Sequence, residues 1–165
     1  MESFDRRSRS LNEPTRFYED IVVGERRRSA ERTIHLDEML RFAREHDPQW
    51  FHTDPDAARA SVFGEVVASG IHTAALWRQL DHTINADIAY VCGVGWDEVR
   101  WPHALRPGDT IHVTSEMLDK RPSAKRENRG VIRVRCSVVR ADGEALLTFI
   151  SINLVYTRAW ADAIA

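Results

Sequence analysis

Hydrophobic positions change their period twice along the chain. Leu36, Met39, Leu40 and Ala43 fall at i, i+3, i+4 and i+7, which is one face of a helix. Asp37 and Glu38 occupy its first turn, where the positive end of the helix dipole favours them. Pro48 disfavours helical geometry at Asp47, so this helix is predicted to stop near His46. A polar loop from Asp47 to Pro55 follows, then an Ala-rich turn of helix ending at Phe63-Gly64. The next stretch, Val66 to Ile84, opens with VVASGIHTAALW, which carries almost no charge. A helix apolar on nearly every side is a buried one.

After that stretch the period falls to two. Ile111, Val113, Ser115 and Met117 alternate with polar neighbours, as do Ile132, Val134, Cys136 and Val138. Asp142-Gly143 joins the second of these strands to a long apolar run, Leu146 to Tyr156, and predicts a two-residue hairpin turn. Pro107-Gly108-Asp109 and the segment from Pro122 to Gly130 supply the other turns, and Arg26 to Ile34 is a short, charged strand candidate. Helices early and an antiparallel meander later make an α+β fold. One buried helix and one sheet predict that the sheet curls around the helix, the hot-dog architecture.

The chain has 165 residues, 43% hydrophobic and 29% charged, which suits one domain with a sizeable core. Residues 1–15 are polar, with Arg6, Arg7 and Arg9 close together, and are expected to form a flexible arm. Residues 16–157 are expected to form the domain and 158–165 a C-terminal tail. A net charge of −2 argues against a nucleic-acid partner, which needs a large positive excess. Cys92 and Cys136 stand far apart, so neither a disulfide framework nor a thiolate metal site is expected. No apolar run approaches the roughly 20 residues of a membrane helix, and MESFDRRSRS lacks the apolar stretch of a signal peptide. The expectation is a soluble cytoplasmic protein.

Three constellations bear on chemistry. Asp47 and His52 lie five residues apart, with Trp50 and Phe51 between them. If the loop bends, a carboxylate and an imidazole can share one water, with the two rings lowering the local dielectric. A helix C-terminus followed by a turn, with His52 on the surface, accounts for the same residues. His46-Asp47 resembles the paired ligands of metal-dependent phosphohydrolases, yet His35, His52 and Asp54 add no recognisable metal spacing. Gly93-Val-Gly95 is a fragment of a phosphate loop without its third glycine or its helix, and reads as a strand bulge.

Asp47-Pro-Gln-Trp-Phe-His-Thr-Asp54 followed by Phe63-Gly-Glu-Val-Val-Ala-Ser-Gly70-Ile-His-Thr73 resembles the MaoC-like dehydratase family, which includes the (R)-specific enoyl-CoA hydratases. Val99-Arg-Trp-Pro-His-Ala-Leu-Arg-Pro-Gly-Asp109 and Asp119-Lys-Arg-Pro122 extend the resemblance, which runs from about Phe17 to Tyr156. It implies a hot-dog fold, an acyl-CoA substrate, water addition or removal, no metal or redox cofactor, and a homodimer or an assembly of dimers. It places the catalytic pair on Asp47 and His52. The family's loop reads Asp-x-Asn-Pro-x-His, and here Gln49 and Trp50 replace Asn and Pro. Gly70 matches the glycine whose N–H is thought to face the thioester oxygen. Ser69 precedes it as a helix cap or as part of the pocket.

Two other functions share this frame. A hot-dog thioesterase would use a carboxylate on or beside the central helix, where Val66 to Ile84 offers only Asp81. A non-catalytic acyl-binding protein would need neither Asp47 nor His52. His72, Phe42 and Trp77 are expected in the core, Trp96 and Trp101 in the core or a pocket wall, and Trp160 has no assigned role. Lys120 to Arg135 holds seven basic residues against Glu127 alone. It is either a solvated hairpin tip or a patch for CoA phosphates.

Overall fold

The computed structural model describes residues 14–164; most of the predicted arm, residues 1–13, lies outside the described residues. In chain order the elements are β1 (Arg26–Arg28), β2 (Arg32–Thr33), α1 (Leu36–His46), α2 (Trp50–Thr53), α3 (Pro55–Ala58) and α4 (Gly70–Asn85). Then come β3 (Tyr90–Arg100), β4 (Thr110–Pro122), β5 (Arg129–Arg140), β6 (Ala145–Tyr156) and α5 (Arg158–Ile164). One sheet runs β1-β4-β5-β6-β3, with β2 also on β4, and every pairing between strands is antiparallel.

Register follows the alternation. Val113 pairs with Val138, Ser115 with Cys136 and Met117 with Val134, and Cys136 in turn faces Phe149 on β6. Because side chains alternate with period two, these residues share the face that α4 covers. Leu76, Trp77 and Leu80 of α4 join Ile111, Val113, Ile132, Val138, Leu147 and Phe149 in one buried cluster. The α+β, helix-in-sheet hot-dog arrangement expected from the pattern is the observed one.

Boundaries differ in three places. α4 starts at Gly70, four residues later than the apolar run. Val66, Val67 and Ala68 are buried but extended, and the Ala68 N–H bonds the Leu105 carbonyl at 2.9 Å. Apolar character marked burial there, and the change from extended chain to helix comes where the Ser69 hydroxyl accepts from the Ile71 N–H. The polar loop after α1 contains α2, a single turn that carries His52 inward. The β5–β6 turn is a three-residue loop. The Gly143 N–H bonds the Arg140 carbonyl, and Gly143 sits at φ 96°, so Asp142-Gly143 fills its last two positions. Gly93 and Gly95 do bracket a register shift in β3, as a bulge requires. Residues 158–165, expected as a tail, include α5. Arg158 bonds Asp20 at 2.6 Å there, and Trp160 stacks on Tyr156.

Candidate active site

Asp47 closes α1: its N–H still bonds the Ala43 carbonyl, while its backbone has left helical geometry. That break, imposed by Pro48, turns the side chain toward the start of α4. Three contacts then define the carboxylate, and a fourth anchors its Ser69 partner. Ser69 donates its hydroxyl to Oδ2 at 2.6 Å, and Gln49 donates its amide to Oδ1 at 3.1 Å. His52 Nε2 lies 3.8 Å from Oδ2, and the same Ser69 oxygen accepts from the Ile71 N–H at 3.2 Å. Ser69 therefore both caps α4 and holds Asp47, so the two roles weighed for it coexist. The Ser69 hydrogen bond, then the one from Gln49 and the electrostatic influence of the nearby imidazole, hold the Asp47 carboxyl below the usual carboxylate range despite partial burial.

His52 is buried, which removes the surface-turn reading. α2 brings it in, with its ring against Phe51 at 4.4 Å, and its Nδ1 lies 2.7 Å from the Val67 carbonyl. A carbonyl only accepts, so Nδ1 carries a proton, and Nε2 is the ring nitrogen that faces Asp47. The extended Val66–Ala68 segment exists here as the arm that aims this imidazole. Trp50, expected to enclose the pair, points outward at 51% exposure, and Phe51 alone provides the apolar wall.

Gly70 is the first residue of α4, so its N–H lies outside the intrahelical ladder at the positive end of the dipole. Trp101 packs over it and donates its indole N–H to the Gly70 carbonyl at 3.1 Å. A Cβ on residue 70 would stand 3.1 Å from that ring, closer than ordinary contact, which is why glycine fits. The sequence pattern put Trp101 in the core or a pocket wall; at 47% exposure it is not core, and neither Gln49 nor the Val67 carbonyl was foreseen as a positioning group. Gln49 was visible only as a departure from the family loop.

Other candidates go elsewhere. His46 approaches Glu45, and Asp54 caps α3 through the Asp56 and Ala57 N–H groups, so neither joins Asp47 and His52. His72 is buried and stacked on Phe42, with Nδ1 lacking a partner, and burial lowers its pKa to about 4. It is a neutral core residue.

Comparison with known proteins gives the family. The MaoC like domain family matches residues 20–139, which spans β1 through nearly all of β5. The chain belongs to that family. A MaoC-like dehydratase structure from Rhodospirillum rubrum is 37% identical, with a TM-score of 0.81 over 86% of this chain and 97% of that one. An uncharacterised Bacillus subtilis protein, YdeM, is 29% identical over 72% of this chain and 84% of its own length. The 3-hydroxyacyl-thioester dehydratase Z of Mycobacterium tuberculosis is 33% identical, and the match covers 52% of this chain and 59% of that protein. Asp47, His52, Ser69 and Gly70 of this MaoC-like chain all fall within the matched region.

Proposed function

We propose that this MaoC-like protein is an acyl-thioester hydro-lyase, adding water to an enoyl-CoA or removing it from a 3-hydroxyacyl-CoA. The observation that carries the reading is the 3.8 Å gap between Asp47 Oδ2 and His52 Nε2. It is too long for a hydrogen bond and suited to two acceptors sharing one water. Both groups are held from behind, Asp47 by Ser69 and Gln49 and His52 by Val67.

In hydration, His52 Nε2 takes a proton from the water and the hydroxide oxygen bonds to the β-carbon. The electrons of the double bond move toward the thioester carbonyl, whose oxygen gains negative charge. The Gly70 N–H, at the dipole end of α4, stabilises that charge. The proton on His52 then passes to the α-carbon, restoring the carbonyl. Asp47, held ionised, accepts the water's other hydrogen and stabilises the transient imidazolium. Dehydration is the reverse. No metal or redox cofactor takes part in these steps.

A thioesterase mechanism needs a carboxylate near the carbonyl. The acid on α4, Asp81, lies eleven residues beyond Gly70, roughly 16 Å along the helix. The test is incubation with crotonyl-CoA, followed for loss of enoyl absorbance and separately for free thiol. Absorbance loss without thiol release is expected; thiol release without hydration would overturn the reading in favour of the thioesterase.

A further inference from the structure

Asp47 is joined to Trp101 by a chain of hydrogen bonds that runs through the start of α4. The Trp101 indole N–H donates to the Gly70 carbonyl at 3.1 Å. At the other end of that peptide unit, the Ile71 N–H donates to the Ser69 hydroxyl oxygen at 3.2 Å. The Ser69 hydroxyl donates in turn to Asp47 Oδ2 at 2.6 Å. All three bonds point the same way, from the indole to the carboxylate. Oδ2 is also the oxygen 3.8 Å from His52 Nε2, so the chain ends on the atom that faces the imidazole.

Three features of the sequence build this chain. A Cβ at residue 70 would stand 3.1 Å from the indole nitrogen, so glycine is what admits the ring. The register of β3 on β6 shifts between Asp97 and Arg100, and within that shift Glu98 sits at φ 55°. It is the one residue other than glycine with a positive φ among the described residues. Such strain persists only where the surrounding structure holds it, and a bulge of this kind re-aims the side chains that follow. Trp101 is the first residue after β3. Beyond it the segment stays beside the approach to α4, where the Leu105 carbonyl accepts from the Ala68 N–H at 2.9 Å.

Hydrogen bonds in a chain polarise one another, by about 10–30% per bond. A carbonyl that accepts makes the N–H of its own peptide a better donor, and a hydroxyl that accepts donates more strongly in turn. Losing the indole N–H therefore weakens the bond from Ser69 to Asp47 without altering either residue. That bond is the largest influence holding the Asp47 carboxyl below the usual carboxylate range.

We propose that Trp101 is a positioning residue for Asp47, acting through the Gly70–Ile71 peptide and the Ser69 hydroxyl. The proposal rests on the hydro-lyase reading for what Asp47 does. One indole then serves both halves of the site, covering Gly70 and steadying the carboxylate.

Trp101→Phe keeps a ring over Gly70 and removes the donor. On crotonyl-CoA it should lower kcat about two- to tenfold, with KM changed by less than about twofold. The acidic limb of the pH–rate profile should move up by roughly 0.2–0.5 pH units, because a weaker Ser69 bond lets Asp47 take a proton at higher pH. In a Ser69→Ala background the same substitution should move the limb no further, since the chain is already cut. NMR titration of the Asp47 carboxyl carbon in the same four proteins reads the displacement without turnover. If Trp101 only walls the pocket, Phe serves as well and neither the limb nor the NMR titration moves; that outcome overturns the proposal. So does an equal displacement in the Ser69→Ala background. Absence of turnover with a Ser69-dependent NMR displacement overturns the hydro-lyase reading and keeps the chain of bonds. Absence of both overturns both.

Discussion

At the scale of single residues, the site depends on groups that hold other groups. Asp47→Asn keeps the shape of the side chain but removes its charge, and His52→Gln removes the imidazole. Each should lose at least about a hundredfold in kcat on an enoyl-CoA, the lower end of what general acid–base groups contribute. The double variant should be little worse than the worse single one, because both act on one water. His52→Gln should also lower the unfolding temperature, since the ring is buried and bonded to Val67. Retained activity in either folded variant would remove the pair from catalysis. Ser69→Ala takes away the strongest influence holding Asp47 ionised, so the acidic limb of its pH–rate profile should move to higher pH.

His72 gives a stability counterpart. Burial holds its pKa at about 4, against 6.5 ordinarily, so between those values the unfolded chain binds a proton that the folded chain refuses. Stability from this residue is therefore complete above about pH 6.5, falls as pH drops toward 4, and levels off below. The loss is on the order of 2–3 kcal/mol. Thermal unfolding between pH 7 and 4.5 should show it, and His72→Leu should flatten the slope. An unchanged slope would assign the effect to other groups. The sequence placed His72 in the core from its position on an apolar helix. It held no sign that Val67, through a backbone carbonyl, would orient His52, because main-chain acceptors carry no residue code.

At the scale of elements, periodicity read existence well and boundaries poorly. The strand pattern at Ile111–Met117 and Ile132–Val138 fixed both the pairing and the buried face, since a one-residue slip would turn every side chain outward. The run from Val66 looked helical because burial and helicity share an apolar signature, and only the Ser69-Gly70 cap separates them. That boundary matters for function, as it sets which amide begins α4. Gly70→Ala should lower kcat severalfold by forcing the Trp101 ring away from the helix start, and adding Trp101→Ala should recover part of the loss. No recovery would mean that the added methyl acts on the substrate itself. The basic segment divides on inspection. Arg133 pairs with Asp119 and Arg135 with Glu116, and Lys120 bonds the Tyr18 carbonyl. Gly130 pairs with Val155, which also faces Tyr90, so the hairpin tip lies at the end of the sheet opposite Trp101. Within one chain this favours the solvated tip over a CoA phosphate site.

At the scale of the whole molecule, the two sheet edges are unlike. One ends in β1, three arginines long, and such short charged strands discourage further pairing. The other is β3, eleven residues long and bonded on one side to β6, with Val94 at 56% and Trp96 at 42% exposure. A long edge strand with exposed apolar side chains is a template for another strand. A second copy of this chain, pairing β3 with β3 about a two-fold axis, would close that edge for both partners at once. The dimer expected from the family resemblance thus has a specific edge to form on. Sedimentation of the wild-type protein should show a dimer or a multiple of it at micromolar concentration. Val94→Asp, which sets like charges near one another across such a pairing, should shift the equilibrium toward monomer. A wild-type protein that sediments as a stable monomer would overturn the assembly outright. A dimer indifferent to Val94→Asp would move its interface away from β3.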